Sequence, residues 1–160
     1  MSDIEIAATG TAFLGENLRA IEPLTEELIM DSREEIQLVA YLMSRGALKI
    51  VRLLEKAASE GLKVTIVLNS FDLVDVEVVK MLKEMTGRYR TINVVSFFEH
   101  TGKHLHAKVI VSDRRRAIVS SANLSFGGMF ANYELGLLVE GETAWKLGKI
   151  VDRLLVMSSK

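Results

Sequence analysis

Apolar residues recur along this chain with two periods. Spacings of three and four mark helices, because 3.6 residues complete a turn, while compact apolar runs mark buried strands. A helical region is predicted over about 13–30, with Pro23 in the first turn of its second part, where a missing N–H is tolerated. Ile36 to Leu42 reads as a buried strand. Gly46 precedes a helix that keeps Ala47, Ile50, Val51, Leu54, Ala57 and Ala58 on one face, and Gly61 ends it. Val64 to Leu68 is a second strand. The next helix, about 74–86, carries Val76, Val79, Leu82 and Met85 and stops at Gly87. Ile92 to Phe97, Leu105 to Ser112, Arg116 to Ser121 and Glu134 to Val139 read as strands. A last helix over about 142–157 packs Leu147, Ile150, Val151 and Leu154. Met43, Met81, Met85 and Met129 read as core filler. Trp145 reads as a packing anchor, with a subunit interface as its alternative.

Strand, helix and strand joined by short links imply parallel crossovers. Leu105–Ser112 and Arg116–Ser121, by contrast, are close enough for an antiparallel hairpin turning at Arg114-Arg115. The expected fold is therefore α/β: a mixed sheet flanked by helices, in a single domain spanning 1–160.

Composition narrows the class. About half the residues are hydrophobic, with one proline and no cysteine. Absent cysteine fits a reducing compartment and leaves no disulfide staple. The start lacks a basic, apolar leader, and no run is apolar enough to span a bilayer, so a cytoplasmic protein is expected. The net charge of −1 does not announce a nucleic-acid binder, but charge is uneven. Residues 1–36 hold nine acids against two bases, whereas 37–98 and 99–117 each sum to +3. A basic central region suits a phosphate backbone or a small phosphodiester.

The candidate chemistry lies in the hairpin. If it turns at Arg114-Arg115, opposed residue numbers sum to 229: His106 faces Asn123, and Lys108 faces Ser121. Residues two apart share a strand face, so one face gathers a nucleophile, a cation and two hydrogen-bonding groups. Asp113 sits seven residues from His106, roughly 23 Å along a strand, and reads as structural. The Arg114-Arg115-Arg116 run reads as a solvated hairpin tip, or as a remote contact to a long polyanion. His104 and His100 read as loop residues, with proton shuttling as an alternative for His104. The three clustered histidines lack the cysteines and carboxylates that zinc prefers, so no metal and no cofactor are expected. The Phe126-Gly127-Gly128-Met129-Phe130 segment reads as a loop over the site. Its glycines either bring backbone N–H groups to the substrate or simply turn the chain.

The spacing His106-x-Lys108-x4-Asp113-x6-Ser120-Ser121-x-Asn123 fixes six residue types over eighteen positions. It resembles the HKD signature of the phospholipase D superfamily, with Ser120 where Gly is more usual. The resemblance implies a metal-independent phosphodiesterase, a hydrolase in which His106 forms a phosphohistidine while Lys108, Ser121 and Asn123 bind phosphate. Glu134, eleven residues after Asn123, resembles the family's acidic residue that orients a catalytic histidine. Two HKD segments normally face each other, and this chain holds one. A homodimer that supplies the second histidine is therefore implied, as in the short, Nuc-type endonucleases. The wording around Ser120–Ser125 and Asn132–Gly136 also resembles HKD modules of DNA metabolism and phage defence. Nucleic acid is the preferred substrate. The alternatives are a phospholipase or phosphatidyl transferase, and a nucleic-acid-binding subunit silent without a helicase or defence-system partner.

Overall fold

Residues 4–13 and 17–159 are described by the computed structural model. Among them, strands β1 (Ile4–Thr9), β2 (Arg19–Ala20), β3 (Glu35–Ala40), β4 (Lys63–Leu68), β5 (Ile92–Ser96), β6 (Val109–Ser112), β7 (Arg116–Ser120) and β8 (Glu134–Glu140) form one sheet. Their order is β2-β1-β8-β7-β6-β3-β4-β5. The sheet is mixed, as the sequence pattern implies. β3, β4 and β5 pair in parallel, and β6 joins β3 antiparallel. Five helices flank it: α1 (Ile21–Asp31), α2 (Leu48–Ser59), α3 (Val76–Arg88), the single turn α4 (Phe98–Thr101) and α5 (Glu142–Ser158).

Alternation within the central strands serves two cores. Ile36, Leu38, Val64, Ile66 and Leu68 pack beneath Leu24 and Leu28 of α1, Ile50 and Leu54 of α2 and Leu82 of α3. Val39, Val67, Val111, Ala117 and Val139 face the other way, onto Ala144 and Val151 of α5. Coverage of both faces explains why these strands read as continuous apolar runs. The α5 layer does not reach the far end of β1, β8 and β7. There Ile4, Ile6, Val119, Leu135 and Leu137 stay exposed. Ile6 pairs with Leu137 and Leu137 with Val119, so these three share one face.

Several boundaries depart from the periodicity. Of the region expected as helix over about 13–30, the part before α1 holds Phe13, the end of a short helical turn that starts at Thr11, and β2; residues 14–16 lie outside the described residues. β1 was not foreseen, although Ile4 and Ile6 alternate with Glu5. Gly87 does not stop α3. The helix runs on to Arg88 and ends where Tyr89 turns extended. A glycine inside a helix costs only about 1 kcal/mol, which packing of Val78, Leu82 and Met85 offsets. Val76, expected in the apolar face, is 77% exposed. Trp145 is not the expected core anchor, since its ring is half exposed on the outer side of α5. Met43, Met85 and Met129 are buried, and Met81 packs at the edge of the core, as expected.

The hairpin shifts most. Its turn centres on Asp113 and Arg114, both at positive φ (51° and 53°), rather than on Arg114-Arg115. Aspartate tolerates that region better than arginine does, because its short side chain bonds locally. Val109 pairs with Val119 and Ser112 with Arg116, so opposed numbers sum to 228. Lys108 consequently lies opposite Ser120, whose N–H donates to the Lys108 carbonyl at 3.2 Å. β6 begins at Val109, so His106 lies just before the ladder rather than within it.

Candidate active site

Three strand ends converge where β3, β4 and β6 meet. Asn69, 1% exposed, organises the junction. Its Oδ1 accepts the Leu105 N–H at 2.6 Å, and its carbonyl accepts the Phe98 N–H at 2.8 Å. This fixes the approach of the chain to His106 on both sides. Tyr41, immediately after β3, lies under the site: its ring centroid is 4.3 Å from that of His106, tilted 47°. The Lys108 ammonium sits 5.5 Å from the same ring, in cation–π range. Tyr41 and Asn69 carried no motif signal. Only the register of β3 against β6 brings them to His106.

His106 is exposed, and its Nδ1 lies 3.0 Å from Lys108 Nζ, which also donates to the His106 carbonyl at 2.8 Å. Burial pulls the Lys108 ammonium below the usual lysine range, and the Glu134 carboxylate pushes the opposite way. A cation this close to an imidazole, in a partly dry setting, is suited to an anion.

Ser121 and Glu134 form a separate pair. Ser121 Oγ donates to Glu134 Oε2 and accepts the Leu135 N–H at 3.1 Å, tying the end of β7 to β8. Glu134 Oε1 accepts from Asn132 Nδ2 at 3.2 Å. Among the described residues Glu134 makes no hydrogen bond to His106 within the chain. The Asn123 Oδ1 is buried without a hydrogen-bond partner, a costly state for an amide oxygen. Two glycines make this packing possible. A Cβ on Gly136 would stand 2.8 Å from the Cβ of Ser120, its cross-strand neighbour. Glycine in β8 thus supplies the room that Ser120 takes on β7. A Cβ on Gly128 would stand 2.2 Å from the Asn123 carbonyl oxygen, so Gly128 lets the Gly127–Ala131 turn close against Asn123.

Asp113 is far from this chemistry and fully engaged. Its carboxylate accepts the N–H groups of Arg33, Glu34 and Glu35 at 2.8–2.9 Å, securing the start of β3 to the hairpin turn. Of the neighbouring arginines, Arg115 is exposed as a solvated tip would be, but Arg114 and Arg116 are not. Arg114 pairs with Glu35 and Asp152, and Arg116 with Glu27, Asp31 and Glu140. Acids brought in from β3, α1, α5 and β8 neutralise these two, which a local reading of the run cannot show.

Residues 26–155 match the family described as cardiolipin synthase, PLD-like domain. The chain belongs to the PLD-like family. The DISARM protein DrmC of Bacillus paralicheniformis is 35% identical to this PLD-like chain over 145 residues. That alignment covers 88% of the chain and 58% of the relative, so the chain spans little more than half of DrmC. The phospholipase D family member Nuc from Salmonella typhimurium superposes with a TM-score of 0.73 at 16% identity, over 98% of this chain and 96% of Nuc. NucT from Helicobacter pylori gives 0.72 at 18%, covering 97% and 98%. The phosphatidylserine synthase of Haemophilus influenzae gives 0.70 at 12%, with 98% of this chain on 38% of that one. At these identities the superpositions establish the fold of the PLD-like chain.

Proposed function

We propose that this protein is a metal-independent phosphodiesterase, a nuclease that works through a phosphohistidine on His106 in a homodimer. The observation that carries the reading is the His106–Lys108 pair, a nucleophile and a cation 3.0 Å apart that, among the described residues, have no hydrogen-bond partner beyond one another and the local backbone. As Lys108 turns from Nδ1 to the phosphate, the neutral imidazole takes the tautomer with its proton on Nδ1; the freed Nε2 lone pair attacks phosphorus, an N–P bond forms and the P–O bond to the leaving group breaks. Lys108 and Asn123 hold the non-bridging oxygens as charge develops. A second histidine protonates the leaving oxygen. It then takes a proton from water, whose oxygen displaces His106 from phosphorus and releases a phosphate monoester.

The second histidine comes from a second copy of the chain. An exposed apolar face of Ile4, Ile6, Val119, Leu135 and Leu137 runs across β1, β7 and β8, the strands at whose ends Ser121 and Glu134 stand, and a two-fold contact can cover it with itself. Glu134 retains carboxylate lone pairs beyond its bonds to Ser121 and Asn132. They are assigned to orienting a histidine of the dimeric site. The resemblance of the motif wording to HKD modules of DNA metabolism and phage defence supports a nucleic-acid substrate, and the likeness to the DISARM protein DrmC covers most of this chain.

Cleavage of labelled single-stranded DNA, duplex DNA and RNA in excess EDTA, wild type beside His106→Ala, tests the reading. Cleavage by wild type alone supports it. Turnover that requires added metal, or that survives in the variant, rejects it.

A further inference from the structure

We infer that a single-stranded nucleic acid approaches His106 along a row of aromatic rings, Phe98–His104–Tyr41, on which its unpaired bases stack; this rests on the nuclease reading above. Phe98 and His104 are stacked, 5.1 Å between centroids and 28° between planes. His104 lies 6.5 Å from Tyr41, and Tyr41 lies 4.3 Å from His106. The nucleophile thus ends a continuous line of rings that leads outward to Phe98.

The core does not require this row. Phe97 is 6% exposed and packs with Val67, Val111 and Leu105, whereas the next residue, Phe98, is 36% exposed. His104 and His106 are exposed and Tyr41 is half-buried. The rings come from three separate places: the end of β3, the turn after β5 and the approach to β6. Asn69 pins two of these places by accepting the N–H groups of Phe98 and Leu105. Cations accompany the rings. Lys108 faces Tyr41, and Lys103 is exposed in the segment that joins Phe98 to His104.

Aromatic faces accompanied by cations suit a flexible strand, whose bases stack while its phosphates meet charge. Stacking tolerates any base, because each has a π face. A duplex keeps its bases stacked on one another and offers none to these rings. A lipid headgroup has no ring to stack.

The test uses the full chain carrying His106→Ala, so that binding is read without turnover. Fluorescence anisotropy follows a labelled single-stranded DNA, its duplex, and a strand of the same length built from abasic sites. Adding Phe98→Ala is expected to weaken the single strand about tenfold, with Phe98→Trp restoring it. The abasic strand should bind weakly and respond little to either change. Unchanged single-strand affinity in the Phe98→Ala protein, with its melting temperature intact, overturns the stacking row while leaving the nuclease reading in place. An equal loss for the abasic strand overturns it in the same way. Failure of every nucleic acid to bind, with binding to anionic phospholipid vesicles instead, overturns both.

Discussion

At the turn of the β6–β7 hairpin, Asp113 accepts three backbone N–H groups and Arg114 bonds two carboxylates. At the open end, the only hydrogen-bond partners of His106 and Lys108 among the described residues are one another and a local carbonyl, with the Tyr41 ring beside both. Both ends are written in charged and polar residues, and both contribute letters to the HKD signature. They differ in how much hydrogen-bonding capacity the fold uses. A polar group whose capacity is filled by its own chain holds that chain together. One left exposed and partly unfilled can be completed by a ligand. The signature therefore mixes a structural aspartate with the groups available for chemistry, and hydrogen-bond bookkeeping separates them.

The largest effects should fall at the open end. His106→Ala should lower cleavage more than about a thousandfold, because the covalent route is lost. Thermal melting should barely change, since an exposed side chain is removed. Leu137→Asp attacks the bare apolar face across β1, β7 and β8. Light scattering should report a species near twice 17.8 kDa for wild type and a monomer for the variant, with activity falling in step. An active monomer would break the link between that face and the chemistry.

The turn end should respond in stability rather than rate. Asp113→Ala leaves three N–H groups without their acceptor and should cost about 1–3 kcal/mol, with a melting temperature lower by several degrees. Per-site cleavage by the folded fraction should stay near wild type. Asp152 sharpens the contrast through pH. Arg114 holds its carboxyl below the usual aspartate range, burial opposing in part. A depressed folded pKa contributes stability that is complete above the ordinary aspartate range and lost as pH falls through the folded value. Arg114→Met should remove that contribution, so its stability deficit against wild type should be full at neutral pH and shrink in acid.

The smallest effect expected is a displacement at the open end. Glu134 raises the Lys108 pKa while burial lowers it. Glu134→Gln lowers the overall rate through the histidine it is assigned to orient and also removes the raising charge, so the alkaline limb of the remaining pH–rate profile should move to lower pH. A limb that stays in place would mean that Lys108 does not carry the charge that catalysis requires.

The sequence made the sheet, its parallel half and the flanking helices legible because buried strands and amphipathic helices leave strong periods. β1 was missed because a short segment near the start of the sequence, with Glu5 between Ile4 and Ile6, looks like an acidic terminus until β8 is placed beside it. The hairpin register was off by one because the turn is decided by backbone conformation at Asp113, which residue type signals only weakly. His106, Lys108 and Asn123 stood out through their spacing. Tyr41, Asn69 and Phe98 did not, since each reaches the site across a strand pairing or a crossover. The fates of Arg114 and Arg116 were hidden for the same reason: their partners lie from 24 to 89 residues away in sequence.

The measurement that reaches the central claim most directly is to trap the intermediate. Wild-type protein is mixed with an oligonucleotide substrate in EDTA, quenched in alkali during turnover, digested and weighed by mass spectrometry. The account predicts a phosphoryl-linked nucleotide adduct, stable to alkali and labile to acid, on the peptide that contains His106. Product formation with no adduct on that peptide would contradict it.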